Sequence, residues 1–331
     1  MSIGGACVRS PVTVDGTTFV GGGQPLRFGS NAEDCGVSIA RCNCTGSAPV
    51  SSFSVIFSGD ITRSPLSVTD STLTGFLGVA FFTRTLVTSP VTITGSALSI
   101  VAVNGAALQF MGALTASAVV LTDTRLPGGS SGHSLLFWAT LSASPVTLTA
   151  CAVDGLVSFA EIAAGNHVAF SDTTGSSVVF NKPLDGVTIS LEGVALTSRP
   201  PVSALEFKGA LNNCLVNISS GSSFASDLAY GVRFTGSLDR TPVHVSDTAG
   251  VWFSQVRLSA VSVTNVHIAS GYVAWRMAGH QIQSPMTVVN LTTVGRYAFY
   301  RANPPSGVIA GAVITGSPTT ISDSSFTAST R

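Results

Sequence analysis

The sequence predicts an all-β protein, a right-handed single-stranded parallel β-helix of about 12 to 13 rungs with about 25 residues per rung. Three observations support this fold class. A short segment rich in Ser, Thr and aliphatic residues recurs along the chain, one aromatic residue recurs at a constant position in each repeat, and Asp, Asn or Gly follows the segment. A repeat made only of short strands cannot bury its apolar face alone, so successive repeats must stack like upon like.

The recurring segment forms the first predicted strand of each rung and is typified by Pro90-Val91-Thr92-Ile93-Thr94. Its apolar and polar residues alternate, which indicates a strand with one buried face. Proline is tolerated where it opens a strand. Related segments begin at Pro11, Gly36, Pro65, Pro90, Ala118, Pro145, His167, Gly186, Leu215, Pro242, Ala260, Pro285 and Pro318.

An aromatic column lies further along each repeat and predicts a second buried strand. It has the pattern apolar-any-aromatic and uses most of the 18 Phe residues, which suggests that the rings stack on one another inside the coil. Its members are Leu26 to Phe28, Val55 to Phe57, Val79 to Phe81, Leu108 to Phe110, Leu135 to Phe137, Val157 to Phe159, Val178 to Phe180, Leu205 to Phe207, Val232 to Phe234, Val251 to Phe253, Val273 to Trp275 and Tyr297 to Phe299.

A third column predicts a sharp bend after the first strand. Asp, Asn and Gly tolerate the left-handed backbone conformation that such a bend needs. The residues of this column are Asp70, Gly95, Asp123, Asp172, Asp247, Asn265, Asn290 and Asp323.

Because the repeat runs from end to end, we predict one β-helix domain over residues 1–331, with less regular, cysteine-containing rungs at 1–64 and regular rungs at 65–331. Only 10% of the residues are charged and the net charge is zero, which argues against a nucleic-acid partner. Residues 1–9 lack an apolar run of signal-peptide length. We therefore expect a segment of a longer β-helix, with flanking rungs and any membrane anchor outside this chain.

The cysteines fall into two groups. Cys7, Cys35, Cys42 and Cys44 are crowded near the start, where they can form one or two disulfides, stay as thiols or, with weaker support, bind a metal. Cys151 and Cys214 lie too many rungs apart to form a bridge with each other, and we expect them to be buried thiols.

The predicted surface offers few chemical groups. Phe82, Met111, Trp138 and Trp252 are expected to point outward beside or within the aromatic column, where they are covered by a loop or form a binding surface. Glu206 and Arg233 share a column on adjacent rungs, which predicts an ion pair.

Two sets of polar residues are candidate sites. Asn43, Asn217 and Asn290 stand in N-glycosylation sequons. Weak calcium candidates lie in the bend column, although the pattern is more typical of a ladder of bends: Asp247, Asn265, Asn290 and Asp323. No catalytic residue, cofactor or other metal ligand is indicated.

The anchors, the aromatic ladder and the bend column resemble the pectin-lyase-like parallel β-helix superfamily over essentially the whole chain, and this resemblance is one of fold. The short Ser/Thr-rich rungs, such as Ser89-Pro90-Val91-Thr92-Ile93-Thr94-Gly95-Ser96, also resemble the dispersed gene family surface proteins of trypanosomatids. That second resemblance implies a very large, adhesive, membrane-anchored glycoprotein on the cell surface.

Three functions are open. The first is a structural or adhesive surface module that presents a Ser/Thr-rich face to glycans or cell-surface proteins. The second, implied by the superfamily, is a polysaccharide lyase or glycoside hydrolase, although its Asn-Thr-Asp, Asp-Gly-His-Gly and Arg-Ile-Lys signatures are absent. The third is an ice-binding β-helix, suggested by Thr92-x-Thr94 and Thr147-x-Thr149.

The expected membership of a larger surface protein predicts an outcome for the native material. An antibody against residues 65–165 should detect a membrane-bound species far heavier than the 33.7 kDa of this chain. A soluble species near 33.7 kDa would contradict that expectation. The measurement is an immunoblot of fractionated native cells.

Overall fold

A computed structural model describes most of the chain and divides it into two compact units, Met1–Gly175 (unit 1) and Ser176–Arg331 (unit 2). The described residues are 2–21, 24–46, 53–100, 105–128, 132–198, 203–219, 221–226, 231–246, 251–257, 259–265, 267–268, 275–277, 281–290, 292–294, 299–301, 314–315 and 319–327. They form strands and turns, and no helix among them is long and apolar enough to cross a membrane.

Unit 1 contains two parallel sheets. The Pro-anchored segments form its first sheet, whose seven described strands stack in sequence order as Val12–Asp15, Val37–Ala40, Leu66–Thr69, Val91–Thr94, Val119–Thr122, Val146–Thr149 and His167–Ser171. The strands between these segments form the second sheet: Ser2–Ile3, Cys7–Val8, Thr18–Gly21, Leu26–Phe28, Ala32–Glu33, Asn43–Gly46, Phe53–Phe57, Ile61–Thr62, Thr72–Gly75, Gly78–Phe82, Leu86–Val87, Ala97–Ile100, Ala106–Phe110, Leu114–Thr115, Arg125–Leu126, His133–Ser142 and Ala152–Ile162. Strand Thr174–Phe180 begins at the end of this unit.

Unit 2 repeats this organisation. The six described strands of its first sheet are Thr188–Glu192, Leu215–Ile218, Val243–Ser246, Val261–Thr264, Met286–Val289 and Thr319–Ser322. Its second sheet contains Leu184–Asp185, Ala195–Ser198, Leu205–Phe207, Leu211–Asn212, Ser223–Ser226, Val232–Asp239, Val251–Arg257, Trp275–Met277, Gln281–Ile282, Phe299–Arg301 and Ile314–Thr315. A small third sheet contains His267–Ile268, Thr292–Val294 and Ser325–Thr327.

The predicted fold, an all-β parallel solenoid with about 25 residues per turn, is confirmed. Aligned residues of the first sheet, such as Val12 and Val37, lie one turn apart in the chain and pair in parallel register. Within a strand the alternation is as expected, because Val91 and Ile93 are each 1% exposed while Thr92 is exposed. The buried residues of successive turns therefore cover one another.

The predicted aromatic stack is present in both units. In unit 1 the ring centroids of adjacent Phe residues are 4.5 to 5.0 Å apart and the rings are nearly parallel. This separation matches the spacing of neighbouring strands. The stack of unit 1 consists of Phe28, Phe57, Phe82, Phe110, Phe137 and Phe159, and that of unit 2 includes Phe180, Phe207 and Phe234.

The stack corrects one predicted register in unit 1. Phe82, expected on the surface, is 1% exposed and stacks between Phe57 and Phe110 at 4.9 and 4.7 Å. Phe81 was expected in the stack and instead pairs with Gln109. Two consecutive Phe residues fit the sequence pattern equally well, and in-register pairing of the small Ala80 with Leu108 selects the second.

Two further registers in unit 2 differ from the prediction by two residues. In the aromatic column Trp275 pairs with Val251, so Met277 pairs with the expected aromatic position Phe253, whereas the expected pairing of Trp275 with Phe299 is confirmed. A shift of two preserves the inward and outward alternation, so periodicity alone cannot detect it.

The second of these shifts occurs in the first sheet. Gly186 was expected to begin a strand, but the strand is Thr188–Glu192, and Ile189 pairs with Val216. Gly186 is instead a corner with a positive φ of 60°. The bend column carries the signal that resolves this register, because Gly193 (φ 60°) lies five residues after Thr188.

Each regular turn has two left-handed corners. The predicted corner after the first strand is confirmed at Asp70, Gly95, Asp123, Asp172, Asn265, Asn290 and Asp323, whereas Asp247 lies outside the described residues. A second corner, before the first strand, was not predicted. Its residues also have positive φ values, and they are Arg9, Asp34, Arg63, Thr88, Ala116, Ala143, Gly165, Gly186, Asn213, Arg240 and Gln283.

A buried polar ladder follows the second set of corners. The backbone N–H of Ser64 donates to Ser89 Oγ at 3.0 Å, that of Ser89 to Ser117 Oγ at 2.9 Å, and that of Ser117 to Ser144 Oγ at 3.0 Å. Each hydroxyl donates in turn to the carbonyl two residues before it, as Ser117 does to Thr115 at 2.9 Å. Unit 2 continues the same pattern through Cys214, Thr241, Ser259 and Ser284.

This ladder predicts that Ser117→Ala destabilises the protein. The substitution leaves the buried N–H of Ser89 without its acceptor, which costs about 1–3 kcal/mol. Ser117→Cys should cost less, because a cysteine occupies the equivalent position at Cys214. Urea denaturation measures the free energy of unfolding, with the surface substitution Ser67→Ala as the matched control. Equal stability of Ser117→Ala and the control would contradict the prediction.

Candidate functional site

The outer side of the first sheet in unit 1 is the most regular chemical surface among the described residues, and we call it the hydroxyl face. It comprises the second and fourth residues of each four-residue strand and the third and fifth residues of His167–Ser171, which alternate with the buried apolar residues. Its members are Thr13, Asp15, Ser38, Ala40, Ser67, Thr69, Thr92, Thr94, Val120, Thr122, Thr147, Thr149, Ala169 and Ser171. Most of these side chains end in a hydroxyl group.

The parallel register arranges these side chains in two rows. One row carries a hydroxyl on five consecutive turns, namely Thr69, Thr94, Thr122, Thr149 and Ser171. Ser171 Oγ donates to Thr149 Oγ1 at 3.1 Å, so neighbouring hydroxyls in this row are within hydrogen-bonding distance. The other row carries Thr13, Ser38, Ser67 and Thr92, then alternates Val120, Thr147 and Ala169.

The hydroxyl face is nearly free of charge. Asp15 is its one ionisable member, and its carboxylate forms a salt bridge with Arg41, while the exposed His167 borders the face two residues before Ala169. The remaining members are exposed or half-buried and neutral. The face can therefore exchange hydrogen bonds with a neutral ligand and offers little attraction to an ionic one.

The predicted exposed apolar residues behave differently from one another. Trp138 is 57% exposed and Met111 is 38% exposed, and each follows a stacked Phe on adjacent turns. Phe82 is the interior residue described above and cannot contact a ligand at the surface. Trp252 lies in strand Val251–Arg257, in register with Arg233, and its side chain is outside the described part.

The weak calcium candidates occupy backbone corners. Asn265, Asn290 and Asp323 have φ values of 54°, 55° and 51°. Asn290 Nδ2 donates to Asn265 Oδ1 at 2.9 Å, which makes the pair a side-chain ladder. Asp247 lies outside the described residues, and the described residues hold no group of three or more His, Cys, Asp or Glu side chains that could bind a metal ion.

All three sequon asparagines are exposed. Asn43 begins strand Asn43–Gly46, Asn217 points outward from strand Leu215–Ile218, and Asn290 is at the corner after strand Met286–Val289. Exposure is the condition that these residues must meet to carry a glycan in the folded protein.

Arginine forms salt bridges with several of the described acidic side chains. Glu206 is 8% exposed, and its carboxylate lies 3.4 Å from Arg233 Nη1, so the predicted ion pair is present. Arg63 binds both Asp34 and Glu33, at 2.7 and 2.6 Å. The hydrogen bond from Arg63 lowers the pKa of Asp34, which keeps this group ionised and makes it a poor proton donor.

The cysteines resolve into one bridge and four thiols. Cys7 and Cys35 form a disulfide between the first two turns, and Cys42, Cys44, Cys151 and Cys214 are buried thiols. Burial raises the pKa of Cys44 to about 11, and it also raises the pKa values of Cys151 and Cys214. These thiols therefore stay protonated at neutral pH and are poor nucleophiles.

Three of the four buried thiol cysteines follow left-handed corners. Cys42 and Cys151 follow the left-handed corners Arg41 and Ala150, while Cys214 follows Asn213. In each case the cysteine takes the place that Ser or Thr takes in other turns, and its Sγ donates to a carbonyl two residues earlier. A small polar residue directly after the corner marks this position in the sequence, and this signal was missed.

Comparisons of the chain with protein-family models, with curated proteins and with solved structures find no match.

The disulfide and the buried thiols predict a stepwise labelling pattern with iodoacetamide. The native protein should take up essentially no label, denaturation alone should expose four thiols, and denaturation with reduction should expose all six. Intact mass measures each step. The variant Cys7→Ser/Cys35→Ser should give four labels with or without reductant. Rapid labelling of Cys44 in the native protein would contradict the prediction.

Proposed function

We propose that this chain is a non-catalytic surface module that binds neutral glycans through the hydroxyl face of unit 1. The observation that supports the proposal is the row of Thr69, Thr94, Thr122, Thr149 and Ser171, in register on five consecutive turns. Sugars display closely spaced hydroxyl groups, and each Thr or Ser hydroxyl can both donate to them and accept from them.

Repeated hydroxyl contacts along the face would supply the affinity for a polysaccharide. A single neutral hydrogen bond exposed to water contributes only about 0.5–1.5 kcal/mol, so one hydroxyl cannot hold a sugar. Several contacts along one polymer bind as a unit, because each contact raises the effective concentration of the next. The sheet holds Thr94 and Thr122 in a fixed register before binding, which reduces the ordering cost.

The chemistry of the face favours binding over cleavage. Glycoside hydrolysis typically uses two carboxyl groups about 5–9 Å apart. The hydroxyl face carries one carboxylate, Asp15, and Arg41 holds it in a salt bridge. The lyase or hydrolase alternative therefore has no acid–base pair on this surface.

The ice-binding alternative requires paired threonines in both rows. Ala40, Val120 and Ala169 interrupt such pairing on the hydroxyl face. A sugar polymer tolerates these gaps better than an ice lattice does, because rotation about its glycosidic bonds lets it adjust to the positions of the hydroxyl groups. We therefore retain the glycan-binding proposal.

The proposal extends to location and family. A surface module of the secretory pathway fits the Cys7–Cys35 disulfide, since disulfides persist in oxidising compartments. The anchors, the aromatic ladder and the corners support placing the chain with pectin-lyase-like β-helix proteins, and the Ser/Thr-rich rungs give weaker support for the dispersed gene family surface proteins of trypanosomatids. Its partners would then be glycans of another cell or of a matrix, with membrane attachment supplied by sequence outside this chain.

Binding to immobilised polysaccharides tests the proposal. The wild-type chain should bind a neutral polysaccharide such as mannan or β-glucan without degrading it. Thr92→Lys/Thr147→Lys should weaken this binding by at least about tenfold, roughly 1.4 kcal/mol, because two large charged side chains then stand on the face.

The matched control is Thr72→Lys, which adds one lysine at an exposed position of the second sheet in the same unit. It should bind like the wild type, and circular dichroism should show that all variants are folded. Absence of binding to every neutral polysaccharide tested, or release of soluble sugar, would contradict the proposal. Thermal hysteresis in the same samples would favour the ice-binding alternative.

A further inference from the structure

We infer that Asn43, Asn217 and Asn290 carry N-linked glycans, and that the glycan on Asn217 covers the outer side of the first sheet in unit 2 around Leu215. Glycan occupancy of the three sites is inferred from the exposure of the asparagines and from their sequons. The consequence for ligand binding rests on the proposed function.

Asn217 is placed where a glycan would extend directly into solvent. It is exposed on strand Leu215–Ile218, and its register neighbours on the two adjacent turns are Ser190 and His244. The sequon is completed by Ser219, which is half-buried at the end of the strand. The neighbour on one side is the small Ser190 and that on the other is the exposed His244, so the first sugar has room on the serine side.

Leu215 lies beside Asn217 and gives the glycan a physical role. It is 39% exposed, and its register neighbour on the adjacent turn is the polar Thr188. Residues two apart in a strand share a side of the sheet, so Leu215 and Asn217 point the same way. A glycan on Asn217 would cover this apolar surface.

Asn43 has comparable surroundings. It is exposed, and its register neighbours Thr18 and Thr72 are exposed as well. Within the sequon Cys44 points into the core, while Thr45 is half-buried. The short hydroxyl side chains on either side leave the Asn43 amide open to solvent.

Asn290 is compatible with a glycan despite its hydrogen bond. Its Nδ2 donates to Asn265 Oδ1 at 2.9 Å, and a side-chain amide nitrogen carries two hydrogens. Glycosylation replaces one hydrogen and leaves the other for this bond. The corner ladder and the glycan can therefore coexist.

The transfer reaction needs a donor from the cell. A lipid-diphosphate-linked oligosaccharide supplies the sugar: a bond forms between Asn Nδ2 and sugar C1, and the bond from C1 to the diphosphate oxygen breaks. The amide loses one proton and the lipid diphosphate leaves. The Cys7–Cys35 disulfide indicates the oxidising, secretory environment in which this chemistry takes place.

The distribution of the sites has a consequence for binding. The hydroxyl face of unit 1 contains no asparagine, so no N-glycan can originate on it. The corresponding side of the first sheet in unit 2 carries Asn217 on the second of its six described strands. N-glycosylation would thus leave the proposed binding surface bare and cover the related surface of unit 2.

Secretion of the full chain from eukaryotic cells tests the site assignment. Enzymatic release of N-glycans in heavy-oxygen water converts each occupied Asn to a labelled Asp, which peptide mass spectrometry locates. Label at all three positions is the expected result. A secreted, folded chain without label at these positions would overturn the inference, and an unlabelled single site would overturn that site.

Paired substitutions at the hydroxyl residue of a sequon distinguish loss of the glycan from damage to the fold. Ser219→Ala and Thr45→Ala should each remove one glycan, whereas Ser219→Thr and Thr45→Ser change the same side chains and should retain it. Asn265→Gln is the matched control outside a sequon and should leave the mobility of the protein unchanged. Retention of the full glycan number in Ser219→Ala would overturn the assignment of Asn217.

Binding of a hydrophobic dye tests the covering of Leu215. Asn217→Gln should bind more dye than the glycosylated wild type, and the additional change Leu215→Ser should abolish the increase. Equal dye binding by wild type and Asn217→Gln would overturn the covering role. Because neither measurement uses a polysaccharide ligand, failure of the glycan-binding proposal leaves both results interpretable.

Discussion

In-register stacking of each turn on the next is the constraint on which the other features of both units depend. It pairs every strand with its neighbour in the next turn, places Phe57 over Phe28 and Phe82 over Phe57, and aligns Thr94 with Thr122 on the outside. Each side chain in this fold must therefore be compatible with the equivalent side chain one turn away. The corners must also occupy the same position in successive turns, and the residues with positive φ before and after the first strand meet that requirement.

The inside and outside of the first sheet use this constraint for different purposes. On the inside, aliphatic residues such as Val91 and Ile93 exclude water and supply stability. On the outside, the same repetition places hydroxyl groups in rows whose spacing the backbone sets. The candidate binding surface of unit 1 thus results from the in-register stacking of successive turns. Its chemistry depends on which small polar residues occupy the outward positions.

The sequence predicted the solenoid because alternation in segments such as Pro90-Val91-Thr92-Ile93-Thr94 is read directly from residue types. It could not choose between Phe81 and Phe82, or between strands beginning at Gly186 and Thr188, because both choices keep the alternation and tertiary stacking decides. The role of Ser117 was also missed. A serine before the strand looks like an ordinary loop residue until its N–H and hydroxyl partners on neighbouring turns are known. The hydroxyl rows were only partly foreseen, since Thr92-x-Thr94 and Thr147-x-Thr149 were noted while their alignment depended on register.

The corner ladder has a consequence for how this sequence can change over generations. A buried position usually accepts one residue type, but here Ser64, Asn166, Cys214 and Thr241 occupy equivalent places. Ser64, Asn166 and Thr241 each accept a hydrogen bond from a backbone N–H of the neighbouring turn, and the Sγ of Cys214 donates to the carbonyl of Asn212. Single-nucleotide changes interconvert serine with each of the other three. Neutral substitutions at the corners can therefore accumulate while the solenoid is preserved. Sequence similarity between such proteins is then lost long before their structural similarity.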